Sequence, residues 1–509
     1  MRPRFRRRAL LHTCVRLALL ALLSPVAALA FDPAQLAPAS PEKPWVIPSP
    51  AEAVRRFAEA DRLMGSRSTA DSEGRTPASI ERDHRYDLAE LIDLAQRVNP
   101  DTHEAWEQAR QAALAVGLVE SSYAPQVSIE AIVGFQRTPG PIPTTVIPRG
   151  YFIANTAEAI PVVALKWLLF DFGRRAGQEQ AARANSFAAN VAFTGAHQKL
   201  VFVVSRAYFA LGAARGRLSA ARDALKTAET VQDAAQSRRD NGLGTVVSLA
   251  QAQRQTAQAR LNLTKASGDE RTAYANLVAS IGLPADTQID IADSSAKPLP
   301  AEPPDNLSAA IQDALANRPD VIAALGKIEA AEGTLKSQRA AYYPTIALSA
   351  QVYQNMGQLS TDGSPYYSVN KPGGNILLTL SWPLFDGGAR GYRVEAARSE
   401  VAAAHDKLAQ ARDAAVQQVV SAYSDLKTSL SAYAAAMTLH QAAQTAYDSA
   451  FDAYQHGVGT YTDVASEQTA LASADADRED AHANVFTAAA SLAFATGTIQ
   501  TSSSGASRP

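Results

Sequence analysis

The chain has 509 residues, with 48 Lys and Arg against 50 Asp and Glu, a formal charge of −2, 47% hydrophobic residues and one cysteine. This balance leaves no basic footprint for nucleic acid, and a single thiol excludes a disulfide framework or a cysteine-built metal centre. After the N-terminal segment no apolar run is long enough for a transmembrane helix, which leaves open a soluble secreted protein or a chain that crosses a bilayer as strands.

Residues 1–30 read as an export signal. Arg2, Arg4, Arg6, Arg7, Arg8 and Arg16 supply the positive region, Leu17 to Leu23 the apolar run, and Ala28-Leu-Ala30 a cleavage site. Loss of six arginines and no acids would take the formal charge from −2 to −8. Cys14 lies ahead of the apolar run, so no lipid anchor and no thiol are expected in the mature chain. Residues 31–86 form a Pro-rich extension with a short helical patch from Ala51 to Met64. It reads either as a mobile leader or as a strap across the body.

From Asp87 onward the chain is written twice. Trp167-Leu-Leu-Phe-Asp-Phe-Gly-Arg-Arg175 matches Trp382-Pro-Leu-Phe-Asp-Gly-Gly-Ala-Arg390, and the flanks keep the same spacing. Tyr208 matches Tyr423, Gly242-Leu-Gly-Thr245 matches Gly457-Val-Gly-Thr460, and Gly282 matches Gly497, all 215 residues apart. Upstream, Leu88, Pro100 and Tyr123-Ala-Pro125 match Leu307, Pro319 and Tyr342-Tyr-Pro344 at a spacing of 219. The first repeat spans 87–284, a linker 285–305, the second repeat 306–497, and a disordered tail 498–509. A period this long makes each copy a structural half, not a solenoid unit.

Each repeat opens with a helix capped by Asp87 or Asn306 and interrupted at Pro100 or Pro319. The helix resumes and stops before Pro125 or Pro344. Alternation then replaces helical periodicity. Val127, Ile129, Ala131, Val133 and Phe135 share one face, and Gln126, Ser128, Glu130 and Gln136 the other. In the second copy Ile346, Leu348, Ala350 and Val352 alternate with Thr345, Ser349, Gln351 and Tyr353. Return strands carry Val163, Leu165, Trp167 and Leu169, then Ile376, Leu378, Leu380, Trp382 and Leu384. Two hairpins are therefore expected, over 126–170 and 345–385, with strands of about ten to twelve residues, a length suited to a tilted membrane strand.

The Phe-Asp-x-Gly turn ends each return strand. Asp171 and Asp386 are expected to cap the next helix, with Gly173 and Gly388 easing the bend. Those helices run without proline over 173–240 and 388–455, about 100 Å at 1.5 Å per residue. Val204, Leu211, Leu218 and Leu225, with Ala207, Ala214, Ala221 and Ala228, form a heptad seam. Val419, Ala422, Leu426, Ser429, Tyr433 and Ala436 form a weaker one. The Gly-x-Gly-Thr turns break the helices, and returning helices span 245–281 and 460–495. Each half is an antiparallel coiled-coil finger with a β-hairpin at its far end.

Four strands cannot close a barrel, and lipid tolerates no open edge. Three chains would supply twelve strands around a lumen. Ser128, Glu130, Ser349 and Gln351 would face water, and Trp167 and Trp382 would sit at the helix-side interface or pack the barrel base.

This order of elements and motifs, present twice over residues 87–497, resembles the TolC family of outer membrane efflux proteins. The resemblance implies a homotrimeric twelve-stranded barrel in outer membrane lipid, continuous with a periplasmic α-helical tunnel. It implies the exit duct of a tripartite efflux or type I secretion system, working with a periplasmic adaptor (a membrane fusion protein) and an inner-membrane pump, without a cofactor. In the family the helix turns form the periplasmic tips that meet the adaptor. Here these are Gly242, Gly244, Thr245, Gly457, Gly459 and Thr460. Family aspartates after the second turn face the closed entrance. Asp463 matches the first, the second falls on Ser466 with Glu467 beside it, and the first repeat has Ser248 at the position of Asp463. An entrance gate of Asp463 and Glu467 would thus rest mainly on three copies of Asp463.

Plainer readings stand beside these. The tip glycines are also ordinary helix-turn chemistry, and Asp463 a solvated helix-start carboxylate. The scattered histidines contain no H-x-x-x-H pair, no G-x-S-x-G occurs, and the paired glycines lack the Lys of a phosphate loop. No catalytic residue, metal site or enzyme activity is assigned. The alternative to a channel is a soluble periplasmic coiled-coil scaffold or adaptor, which would have no membrane strands.

Overall fold

The structure is a computed structural model that describes residue 42 and residues 84–293, 298–300 and 306–499. The expected signal, most of the Pro-rich extension and residues 500–509 lie outside the described residues. In the first repeat, β1 (Arg85–Tyr86), α1 (Leu88–Val98) and α2 (Pro100–Ser121) lead into β2 (Gln126–Pro141) and β3 (Tyr151–Phe170). The long α3 (Arg174–Asp240) and returning α4 (Val246–Ile281) follow. After β4 (Asp290–Ile291), the second repeat runs through α5 (Leu307–Asn317), α6 (Pro319–Ala340), β5 (Thr345–Thr361), β6 (Tyr367–Ser381), α7 (Ala389–Gln455) and α8 (Tyr461–Ala495).

Local chemistry explains the boundaries. Asp87 accepts from Glu90 N (2.8 Å) while the Glu90 carboxylate accepts from Asp87 N (2.9 Å), which closes a capping box on α1. Pro100 starts α2, where its missing N–H costs nothing, and Asn99 accepts from Asp101 N at 2.8 Å. Arg318, before Pro319, makes no side-chain cap. It is buried instead, pairing with Asp320 (2.7 Å) and donating to Gln418 (2.8 Å) and Ala495 O (3.1 Å). One guanidinium thereby ties the start of α6 to α7 and to the end of α8.

The hairpins join into one four-stranded antiparallel sheet ordered β2-β3-β5-β6. The join runs from Ala154 opposite Thr361 to Phe170 opposite Ile346, with an irregularity between Leu168 and Phe170. The strands have 16, 20, 17 and 15 residues, longer than the ten to twelve expected. The cause is that pairing continues past the alternating segments, through Gly134–Pro141 against Tyr151–Glu158. At about 3.3 Å per residue they reach roughly 50–65 Å, more than a tilted bilayer crossing needs. Pro139 and Pro141 lie at the far end of β2, the outer strand of this sheet. The second hairpin is shorter than expected: β6 ends at Ser381, so Trp382 and Leu384 lie beyond it. Pro383 has no N–H to extend the ladder.

The two long helices have 67 residues each, about 100 Å. α3 packs on α2 and α6 toward the sheet and on α4 and α8 toward the other end, while α7 packs on α5, α6 and α8. Val204, Leu211, Leu218, Ala214 and Ala228 of the first seam are buried, and Leu225, Ala207 and Ala221 are half-buried. In the second seam Val419, Ala422, Leu426 and Ala436 are buried. Stacked rings, Phe202 on Phe494 (5.0 Å) and Phe209 on Phe486 (4.9 Å), join α3 to α8.

The linker is not wholly irregular. Arg85 and Tyr86 of the extension pair in parallel with Asp290 and Ile291. Tyr208 donates to Ala292 O (3.0 Å) and Arg215 to Ile291 O (2.9 Å), which fixes this ladder on α3. The tail expected to be disordered from Thr498 begins with two ordered residues. Thr498 N and Ile499 N donate to Ala493 O (3.0 and 3.1 Å), and Ile499 packs on the core of Leu200, Val204 and Ile281.

Just below the sheet the two repeats touch backbone to backbone. A Cβ on Gly177 would lie 2.5 Å from Ser337 N, and one on Gly333 2.6 Å from Ala181 N. Only glycine lets α3 and α6 approach this closely. Gly333→Val should therefore cost about 1–3 kcal/mol through overpacking, read as a lower thermal midpoint in detergent. Gly268→Ala, where a Cβ meets open space, should leave the midpoint unchanged or slightly raised.

Candidate functional site

Two places unite the candidate residues: the junctions where strand becomes helix, and the tips where the long helices turn back. At the first junction Asp171 and Arg175 form a buried ion pair, Nε to Oδ2 at 2.9 Å. The same carboxylate accepts from Arg175 N (3.0 Å) and Gly173 N (3.2 Å). The residue capping α3 is Gly173, at φ +91°, with no side-chain cap. Asp171 therefore caps from two residues further out, reaching the orphan N–H of Arg175, a correction to its expected place. Gly388 caps α7 in the same way at φ +86°, and Asp386 accepts from Arg390 N and Nε, both at 3.0 Å. Partial desolvation raises the Asp386 carboxyl, but the Arg390 bonds together outweigh it and hold the group below its ordinary value.

The arginines extend this knot. Arg175 donates to Ser122 O (3.0 Å) and Leu169 O (3.3 Å) and lies 4.5 Å over the Tyr123 ring. Arg390 lies 5.3 Å over Tyr342. Trp167 donates its indole N–H to Tyr123 O (2.8 Å), and Trp382 to Tyr342 O (3.1 Å). Each Trp thus pins the strand end to the close of the preceding helix through its indole N–H, while its ring stays exposed. Sequence reasoning gave no part to Arg175, Arg390, Tyr123 or Tyr342. The signal was there: the arginines close the repeated nonamer, and the tyrosines open the repeated Tyr-x-Pro.

One junction residue breaks the symmetry. Phe172 sits at φ +52°, a conformation that costs an L residue roughly 1–2 kcal/mol. Its ring stacks on Tyr343 (5.5 Å) across the join between repeats and meets Phe170 edge-on (4.8 Å). Gly387 occupies the equivalent position at φ +68°.

At the tips, Gly242 and Gly457 take φ of +75° and +85° directly after the helix ends. Gly244 is needed for space, since a Cβ there would lie 2.8 Å from Arg239 N. Thr245 caps α4, accepting from Ser248 N at 3.0 Å. Thr460 caps α8 in a full capping box with Asp463, whose carboxylate accepts from Thr460 N (3.0 Å) and Oγ1 (2.7 Å). These bonds, the side-chain one first, hold Asp463 below its ordinary value. Asp463 is exposed and Glu467, one turn on, is half-buried. Leu243 and Val458, between the paired glycines, are 72% and 84% exposed. Arg238 couples the tips, donating to Tyr454 O (2.6 Å) and lying 4.9 Å over its ring. Behind them Val231, Leu249, Tyr447, Tyr461 and Val464 form a shared core. The arrangement offers apolar contact surface and carboxylates on a rigid support. Among the described residues no group of three or more His, Cys, Asp and Glu could hold a metal ion.

A family model described as outer membrane efflux protein matches residues 91–283 and 310–498. Over 314 residues the chain is 29% identical to Protein CyaE of Bordetella pertussis, covering 62% of this chain and 63% of that protein. It is 28% identical over 234 residues to the probable outer membrane lipoprotein SilC of Salmonella typhimurium, covering 46% and 49%. The chain thus spans less than two thirds of the length of these curated relatives. In fold it is similar to the outer membrane protein VceC of Vibrio cholerae, at a TM-score of 0.68 and 20% identity over 81% of this chain and 96% of that one.

Two outcomes test the site's physics. Arg175→Ala strands the buried Asp171 carboxylate and should cost about 3–5 kcal/mol in a denaturant titration; Arg390→Ala should cost less, because Asp386 is more exposed. Asp463 contributes fully above its ordinary value of 3.8, and its contribution is lost as pH falls through its lowered folded value. Hydrogen exchange at the start of α8, corrected for intrinsic rates, should therefore rise on acidification below pH 3.8, and Asp463→Asn should remove that step.

Proposed function

Because this chain belongs to the outer membrane efflux protein family, we propose that it is a passive exit duct in a Gram-negative outer membrane. Three copies form a twelve-stranded barrel continuous with a periplasmic helical tunnel. A periplasmic adaptor meets the tips, and an inner-membrane pump delivers the substrate. The observation that carries this reading is the sheet itself: its strands alternate apolar and polar faces, and they grow directly out of helices about 100 Å long. A soluble scaffold would gain nothing from exposing Ile129, Val133, Phe135, Ile376, Leu378 and Leu380 on one sheet. Those side chains suit lipid, and the opposite face suits a wet lumen.

The junction residues Trp167, Asp171, Gly173, Trp382, Asp386 and Gly388 couple the two cylinders and handle no substrate. The tips Gly242, Gly244, Thr245, Gly457, Gly459 and Thr460 set the turns that present Leu243 and Val458 to the adaptor. Asp463, three times around the ring and supported by Glu467, makes the entrance acidic. Its capping bonds use part of each carboxylate and leave the charge in place.

Leu243→Glu with Val458→Glu should weaken adaptor capture about tenfold or more, the loss of contacts worth roughly 1.4 kcal/mol. Crosslinking and pull-down from the native membrane measure this, with the trimer checked by native mass spectrometry. Recovery of the unaltered protein as a soluble periplasmic monomer would overturn the whole reading. Asp463→Asn should lower cation selectivity in planar-bilayer recordings; unchanged selectivity would place the carboxylate outside the ion path.

A further inference from the structure

Charge in the sheet is sorted by face. The four strands carry five charged residues, Glu130, Arg137, Glu158, Lys166 and Lys371. Glu158 and Lys166 lie at an even spacing on β3, so they share a face. Val162, evenly spaced between them, pairs with Glu130. Glu158 pairs with Gly357, and Asn355, two residues along β5, pairs with Lys371. These four therefore stand on the face opposite Val127, Ile129, Val133 and Phe135. Arg137 alone ends that apolar row, toward the hairpin loop. We propose that the four give the barrel bore two bands of opposite sign, basic at Lys166 near the helices and acidic at Glu158 nearer the outer mouth. Glu130 and Lys371 keep the formal charge of the bore at zero, so the barrel favours cargo of neither sign. The inference rests on the barrel reading above and adds to it the residues that set the field inside.

Lipid forces the sorting. A charge on the lipid face of a barrel destabilises it most at mid-depth and least near the interfaces. Arg137, at the outer end of the apolar row, stands where a charge on that face costs least. On the bore face the other four stay in water, and their sign acts on whatever passes. Separation decides how it acts. Glu158 and Lys166 are eight residues apart, roughly 26 Å along the strand at about 3.3 Å per residue. At physiological ionic strength a charge is screened over about 8 Å. The two bands therefore act in turn along the path and do not cancel locally. A cation is held back at Lys166 and drawn on at Glu158, and an anion meets the reverse.

Both bands sit on an inner strand. β3 lies between β2 and β5, so the cross-strand neighbours of each charge belong to the same chain. Lys166 is exposed and pairs with Gln126 and Ser349, both uncharged. Glu158 is half-buried in the wall and pairs with Gly134 and Gly357. A Cβ on Gly134 would meet nothing within 4 Å, and one on Gly357 would lie 2.5 Å from Ala157 O. No side chain therefore stands directly beside Glu158 on either neighbouring strand, and no opposite charge faces it there. The two glycines leave its carboxylate to the bore.

Local labelling rates read the two bands, in the full-length chain expressed in a Gram-negative host with Cys14→Ser as background. Thr156→Cys lies two residues from Glu158 on the same face, and Ser349→Cys lies opposite Lys166. Ala157→Cys lies on the lipid face. Each is treated with a cationic and an anionic methanethiosulfonate of similar size, and the rates are divided by those of a free thiol. In about 0.1 M salt, where screening acts over about 10 Å, the cation-to-anion ratio should be about threefold or more higher at Thr156→Cys than at Ser349→Cys. In about 1 M salt the two ratios should converge. Glu158→Gln should lower the ratio at Thr156→Cys alone, and Glu158→Asp should keep it. Lys166→Gln should raise the ratio at Ser349→Cys alone. Equal ratios at both positions, with trimers intact on native mass spectrometry, would overturn the bands and leave the duct reading standing. So would labelling of Ala157→Cys in place of Thr156→Cys, which would reverse the faces. Soluble monomers with all three positions labelled alike would overturn both.

Discussion

Lipid accepts no unpaired strand edge, and that constraint governs how this chain is built. Every unsatisfied N–H or C=O in hydrocarbon costs several kcal/mol. Four strands joined as β2-β3-β5-β6 satisfy their inner edges and leave two outer ones. The proposed trimer would meet that demand at the outer edges of β2 and β6. The unusual strand lengths belong to the same logic. A ladder longer than the bilayer crossing keeps backbone groups paired on both sides of it.

The junction transmits that order into the helices. A strand end, a left-handed glycine and a helix start must share a few residues, and the helix start has orphan amides. The Asp–Arg pair resolves this, because one carboxylate serves both an amide and the guanidinium of the same residue. The guanidinium then covers a tyrosine ring, and the indole of the strand bonds the same tyrosine's carbonyl. Strand, turn and the preceding helix are therefore held by one connected set of contacts. In the second repeat the same set is built on Pro383 and a shorter strand, so the design tolerates a change in where the ladder stops.

At the far end the demands are different. The turns need positive φ and close backbone approach, so glycine appears twice in each. Between the glycines sits one exposed apolar residue, held by a rigid turn. Rigid presentation of an apolar side chain suits recognition, since little conformational entropy is lost on contact. The Arg238 bond to Tyr454 makes the tips a coupled pair, so a movement of one tip would act on the other.

Much of this was legible in residue order alone. Proline positions, capping residues, alternation and the heptad seam are local signals, and they determined the repeats, the helices, the hairpins and the tips. The junction motif was legible as a motif, but its working parts were not. Arg175 and Tyr123 are 52 residues apart in the chain, and no local pattern states that a guanidinium will cover a ring. The cap position was misjudged for a related reason: Asp171 reaches the helix from two residues out only because Gly173 adopts a left-handed turn. Strand length escaped prediction because pairing, not composition, keeps Pro- and Gly-containing segments extended. The sequence by itself determined which elements form and that they form twice. Tertiary structure alone decided how closely the repeats meet at Gly177 and Gly333, where Arg318 binds, and which flanks stay open, because these depend on contacts between residues far apart in the chain.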